Sequence, residues 1–235
     1  MTIERGIEDE STKPRRKLDP QIIKEVLDFT AKHLEPEDWL ERQVPFIKDD
    51  RLTRELNQAF RSARYIEKLG LALEVEGDMR HPHLKYQIVQ YASIYEAIVS
   101  YLLFNHYKDH PVVGQLLTET VLVTVAPVSK SIADANDGSQ LLYCKKKSGP
   151  RDATYIRFED KLKAAERIGF LKPEHKPEIL AIYKTRNAIH LESAVKNSVT
   201  YEAKQSRVAY ERLKPFLTNI AAHLKEADGT PTSGR

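Results

Sequence analysis

Arg186, Asn187 and His190 stand close together in the run IYKTRNAIHLESA. On a helix, the interval between the arginine and the histidine puts both side chains one turn apart on one face. The guanidinium keeps its charge at every physiological pH, whereas imidazole takes up or releases a proton near neutrality. Asn187 adds an uncharged donor and acceptor at their edge. A cation that clamps a phosphate, beside a group that moves protons, is the minimum needed to cleave RNA without a metal. The same interval also arises on an ordinary solvated helix face, so the elements that position these residues must decide between the two.

The first of those elements is residues 86–107, YQIVQYASIYEAIVSYLLFNHY, in which Glu96 is the only formal charge. Ile88, Ala92, Tyr95, Val99 and Leu102 lie on one side of the helical circumference and Val89, Ile98 and Leu103 elsewhere, so the helix should be buried among others. Gln87, Gln90, Glu96 and Asn105 argue against a bilayer span. A buried carboxylate needs a partner, and Arg186 is the natural candidate. Glu96 then either forms a structural salt bridge or orients the site. If it is fully buried, removing it should cost about 3–5 kcal/mol.

The second element is residues 158–192. Phe158, Leu162, Ala165 and Ile168 recur at helical spacing, and Gly169 is placed to close that helix. After a connector with Pro173 and Pro177, a further helix carries Ile179, Ile182 and Ile189, with Pro177 near its first turn.

Three features in this order carry a resemblance. An apolar helix with S-x-x-E-A-x-x-x-x-L begins at Ser93, a helix reading K-L-K-x-x-x-x-x-G-F begins at Lys161, and a helix ends in R-N-x-x-H at Arg186. Residues 82–225 resemble the HEPN superfamily, helical domains of RNA-cleaving toxins, abortive-infection proteins and other antiviral or RNA-processing systems. Arg186, Asn187 and His190 match the family motif in kind, with an interval shortened to three residues between the arginine and the histidine. The resemblance implies a homodimer with two copies of the motif facing one groove. It implies a ribonuclease in which His190 moves the proton, Arg186 stabilises the phosphate and Asn187 positions either. A toxin–antitoxin or phage-defence setting would bring an antitoxin or defence-system partner protein. The shortened interval equally fits a catalytically silent member that dimerises, binds RNA or regulates a partner.

The net charge is only +3, but residues 145–172 hold nine cations against four anions. Lys145, Lys146, Lys147, Arg151 and Arg157 open this stretch and are the candidate RNA-binding residues. A solvated turn followed by an ordinary amphipathic helix would hold many of the same charges.

A chain of 235 residues with 41% hydrophobic and 30% charged residues and only 9 glycines suits a mainly α-helical fold. We read residues 1–18 as disordered, 19–80 as a helical extension, 82–225 as the HEPN-like bundle and 226–235 as a flexible tail. Within the extension, Asp19-Pro20 should start a helix striped by Ile22, Ile23, Val26, Leu27 and Leu34. A short helix should carry Trp39, and a longer one should open at Asp49-Asp50 and fade after Leu73. Residues 76–82 should turn and 132–138 should form a loop. For residues 116–128 a helix is preferred over a strand, despite Val121, Val123, Thr124 and Val125. A small β-hairpin is expected from residues 140–144 and 153–156 around a turn at 148–152, which would put the lysine triplet beside its tip. Residues 200–224 should form a last helix, kinked or broken near Pro215.

Cys144 is the only cysteine, which excludes an intramolecular disulfide and suits the cytoplasm. The first residues lack the apolar core of a secretory signal. No metal or cofactor is expected. His106 and His110 lack a third ligand, the aspartates near Asn136 miss the calcium-loop spacing, and no glycine-rich phosphate loop occurs.

Overall fold

The computed structural model describes residues 18–127, 142–188, 196 and 200–229. The fold is mainly α-helical with one small antiparallel β-ribbon. α1 (Pro20–Lys32) starts where Pro20 occupies the first turn and the Asp19 carboxylate accepts from the Gln21 amide at 2.7 Å. α2 (Trp39–Gln43) is short and stacks Trp39 on Phe60, ring centroids 4.6 Å apart. α3 (Asp50–Ala72) is capped by Asp49, which accepts from the Leu52 amide at 3.0 Å. A 3₁₀ turn, Gly77–Arg80, leads into α4 (His81–Tyr101). Gly77 has φ 54°, a conformation glycine adopts without a Cβ penalty.

α4 is the axis of the core. Ile88, Tyr91, Ala92, Ile94, Tyr95, Ile98 and Val99 are buried on it. α3 packs along it on one side. α6 (Phe158–Ile168), α7 (His175–Asn187) and α8 (Ala203–Glu211) also pack on it. α2 and α3 therefore share one hydrophobic core with the helices that follow. The Tyr95 hydroxyl donates to the Ala209 carbonyl at 2.8 Å, and its ring meets Phe216 at 5.1 Å. α4 ends in one π-helical turn, Leu102–His106, closed by the Tyr107 amide donating to the Leu102 carbonyl at 2.8 Å. α5 (Pro111–Leu116) follows, with His110 as its cap. No helix among the described residues is long and apolar enough to cross a membrane.

Two local expectations are corrected. Residues 118–127 are a strand, β1 (Thr118–Pro127), where a helix was preferred. The β-branched run fits a pleated surface better than a helix, and a second strand lies ready to pair with it. That strand is β2 (Leu142–Pro150), paired antiparallel with Cys144 opposite Thr124 and Pro150 opposite Thr118. The hairpin expected around residues 148–152 is accordingly displaced. Residues 153–155 form a 3₁₀ turn capped by the Asp152 carboxylate, which accepts from the Thr154 amide at 2.8 Å. The expected break near Pro215 is present: the last helix is two, α8 and α9 (Leu213–Gly229), parted at Arg212. Pro215 lacks an N–H and its ring excludes the carbonyl four residues back, at Glu211, which is where α8 stops. Finally, α1 packs only at the edge of α3. Ile22, Ile23 and Leu27 are left exposed, because one neighbour covers only the centre of a wide apolar arc. The expected loop at 132–138 lies outside the described residues, as do most of the expected terminal segments.

Gly169 closes α6 in the left-handed region at φ 103°, and the Leu171 amide donates back to the Ala165 carbonyl at 3.3 Å.

The buried tyrosines give the fold a pH limit. Burial pushes the phenols of Tyr91 and Tyr95 upward, and it pushes Tyr210 up to about 12, aided there by the bond to Glu35. A folded-state pKa above the ordinary value of 10.0 means the unfolded chain releases its proton first. This stability is complete below pH 10 and falls as the pH rises through the folded values. Melting followed by circular dichroism should show a steep alkaline loss, shallower in Tyr95→Phe. A melting temperature level through pH 11 in the parent chain would contradict this account.

Candidate functional site

Three helices meet at Glu96, the one carboxylate of α4. Glu96 and Ser100 sit a turn apart on α4, Phe158 and Lys161 come from α6, and Tyr183, Arg186 and Asn187 come from the last turns of α7. α7 ends at Asn187, with the Ala188 amide donating to the Thr185 carbonyl at 3.3 Å. A cationic side chain in the last turn of a helix is favoured by the partial negative charge there.

The Arg186 guanidinium faces the Glu96 carboxylate, Nη2 to Oε2 3.7 Å. Its Nη1 donates to Asn187 Oδ1 at 3.2 Å, and its Cζ lies 5.4 Å from the centroid of the Tyr183 ring. The Tyr183 hydroxyl donates to Glu96 Oε1 at 3.4 Å, while its ring packs against Phe158 at 4.4 Å. Burial first, and the Glu96 charge second, hold the Tyr183 phenol above its ordinary pKa. Glu96 thus takes a hydrogen bond from one side and a guanidinium from the other, which fixes where Arg186 points.

Both charged side chains reach the surface: Glu96 is 27% exposed and Arg186 34%. The full burial penalty foreseen for Glu96 therefore shrinks. Glu96→Ala is expected to cost about 1 kcal/mol, the upper range for a solvent-accessible pair. A melting temperature lowered as far as by a core truncation would show that the pair is energetically dry after all.

Lys161 lies deeper. It is only 7% exposed, its ammonium donates to Ser100 Oγ at 3.1 Å, and it lies 5.6 Å from the centroid of the Phe104 ring. Burial lowers its pKa and the nearby Glu96 charge opposes that shift. The site thus has two cations around one carboxylate, an arrangement suited to an oxyanion. Sequence reasoning missed both Lys161 and Tyr183. Lys161 falls on the same stripe as Phe158, Leu162 and Ala165, so its inward direction was readable. Tyr183 lies one turn before Arg186.

The other candidate residues separate. His190 lies outside the described residues. Lys145, Lys146 and Lys147 are exposed in the body of β2, opposite Val123, Leu122 and Val121, rather than beside a tip. Arg151 is held at the ribbon's base: its Nη2 donates to the Tyr155 carbonyl at 3.1 Å and its amide to the Leu117 carbonyl at 2.7 Å. Arg157 is the exposed residue preceding α6, 3.7 Å from Asp160. Glu159 beside it is held below its ordinary pKa first by Lys163, with smaller effects from Lys184 of α7 and Arg157. The start of α6 therefore shares the neighbourhood of α7's last turns, whereas the lysine triplet belongs to the ribbon.

A cavity of about 810 Å³ lies elsewhere, between α3, the first half of α4 and α8. Its walls include Arg64, Gln87, Tyr91 and Ser206. Ser206 donates to Gln87, and Arg64 is paired with Glu35 and Glu67 under the Tyr210 ring. These groups satisfy one another and cross-link the helices, so size alone does not make this cavity the better site. Comparison of the chain with protein-family models, with curated proteins and with solved structures finds no match.

Proposed function

We propose that this chain is a metal-independent endoribonuclease of the HEPN type, of the kind that serves toxin–antitoxin or phage-defence systems. One observation carries the reading: the one carboxylate of the apolar core helix, Glu96, meets Arg186 of the R-N-x-x-H run at a partly exposed site, with Asn187 bonded to the same guanidinium.

At such a site the RNA 2′-hydroxyl attacks the adjacent phosphorus while His190 assists its deprotonation. The new O2′–P bond forms as the P–O5′ bond breaks. The 5′-oxygen leaves with a proton, and a 2′,3′-cyclic phosphate remains. Arg186, oriented by Glu96 and Asn187, stabilises charge building on the phosphoryl oxygens. Lys161 adds positive potential from behind. Two copies of the motif around one groove would complete the site, as the resemblance implies.

The test is cleavage of a single-stranded RNA by the purified protein in EDTA, with cyclic phosphate or 3′-phosphate ends in the products. The ion pair between Arg186 and Glu96 also suits a second reading, a silent module in which the arginine is structural. A protein that binds RNA or a partner yet leaves RNA intact under these conditions would establish that reading instead.

A further inference from the structure

The bonds that tie α3, α4 and α8 together around their shared cavity still leave polar atoms over. Gln87 and Ser206 are buried in the cavity wall, and the Ser206 hydroxyl donates to Gln87 Oε1. That bond leaves the two Nε2 protons of Gln87 without an acceptor among the described residues. One turn nearer the start of α4, His83 Nδ1 is buried with no hydrogen-bond partner among the described residues. A Cβ at position 70 would come within 3.0 Å of that nitrogen. Glycine is costly inside a helix such as α3, and here it admits the imidazole to the wall. Buried polar groups are normally met by protein, water or ligand, and this wall holds several that the protein does not meet.

The rim and the floor of the cavity differ in charge. Arg80, Lys204, Glu74 and Glu76 line it as exposed residues, and none of the four forms an ion pair among the described residues. Over the whole lining, four cations face four carboxylates, so a simple anion gains no net attraction. A molecule that carries both charges at one end can satisfy both kinds of rim group. On the floor, Arg64 is already shared by Glu35 and Glu67, so a further charge there would be buried without a free partner. A neutral group suits that end. From Arg80 to Gln87 the rim and floor are seven residues of helix apart, about 10 Å.

We infer that this cavity binds a free α-amino acid with an uncharged carboxamide side chain, as in glutamine. Its carboxylate meets Arg80 and Lys204, and its ammonium meets Glu74 and Glu76. The side chain points inward, where its carbonyl oxygen accepts from Gln87 Nε2 and its N–H donates to Ser206 Oγ. A volume of about 810 Å³ is within the range of small-molecule sites. The bound molecule would join α3, α4 and α8 at one point. The cavity is distinct from the α7 end that carries Arg186, and the inference stands independently of the ribonuclease reading.

The experiment is isothermal titration calorimetry of the full chain with L-glutamine, L-glutamate, L-leucine and inorganic phosphate. Glutamine should bind. Glutamate should bind at least about tenfold more weakly, because its side-chain carboxylate would be buried with no free cation. Leucine should lose at least as much, because the amide and hydroxyl of the wall would stay unpaired. Phosphate should give no binding heat. Gln87→Leu should weaken glutamine binding at least about tenfold, with circular dichroism to check its fold. Arg80→Gln/Lys204→Gln alters only exposed side chains and should weaken it similarly, which keeps the test decisive if Gln87→Leu does not fold. Silence toward glutamine through the millimolar range overturns the inference. So does equal binding of glutamate or leucine, or glutamine binding indifferent to the rim variant. Phosphate that binds and displaces glutamine would make the rim a plain anion site and likewise overturn it.

Discussion

His190→Ala should lower the rate of RNA cleavage by roughly 10²–10⁴, the contribution expected of a positioned proton-transfer group. Arg186→Ala should cost about 10²–10³, the range seen when one donor to a developing oxyanion is removed. The loss should fall on turnover more than on RNA affinity, because the guanidinium's interaction strengthens as charge builds on the phosphate. Arg186→Lys should recover little. An ammonium cannot reproduce the fork that here faces both Glu96 and Asn187. Single-turnover rates with a labelled RNA in EDTA separate binding from chemistry. Undiminished cleavage by His190→Ala, in a preparation free of contaminating nuclease, would end the assignment. Loss of RNA binding without loss of single-turnover rate in Arg186→Ala would reduce Arg186 to a docking residue.

Arg64→Ala should destabilise the fold by about 3–5 kcal/mol, far more than any change at Glu96. Arg64 is 6% exposed on α3, with its Nε donating to both oxygens of Glu35 at 2.8 and 2.9 Å and its Nη1 bonded to Glu67. The Tyr210 hydroxyl of α8 donates to Glu35 Oε1 at 2.8 Å, and the guanidinium lies 3.8 Å from the centroid of the Tyr210 ring. Burial alone would raise the Glu35 pKa; the bonds from Arg64 and Tyr210 outweigh it and hold the carboxylate low. Removing the guanidinium strands that carboxylate, which joins the α1–α2 connection to the far end of the chain. Thermal melts should fall by roughly 10 °C, at the 2–4 °C per kcal/mol usual for this size. Arg64→Met/Glu35→Leu should regain much of the loss, because no buried charge is then left unpartnered. A single Arg64→Ala variant melting within a degree or two of the parent would show the network to be solvated.

The helical class, the caps at Asp19 and Asp49, the left-handed stop at Gly169 and the burial of α4 were legible from residue types and spacing. Each depends on interactions within a few residues of chain, or on an apolar surface that has no alternative to burial. Glu96 was legible for the same reason, being one carboxylate in a segment with nothing else charged. Other features depended on contacts between distant residues. The run VLVTV becomes a strand because β2 is there to pair with it; taken alone, its local preferences did not outweigh continuation of the helical array. The lysine triplet leaves the candidate site for the ribbon because the pairing register, rather than proximity in sequence, sets its place. Arg64 joins Glu35 and Tyr210, the latter pair 175 positions apart, and no local pattern in the chain marks that union. Lys161 could be read as pointing inward, but only the packing of α6 on α4 gives it Ser100 and the field of Glu96. Short-range propensity and periodicity determine which segments are helical and which faces are apolar. Which polar groups meet is decided by the way those faces dock, since a buried charge takes whatever partner the assembled core presents.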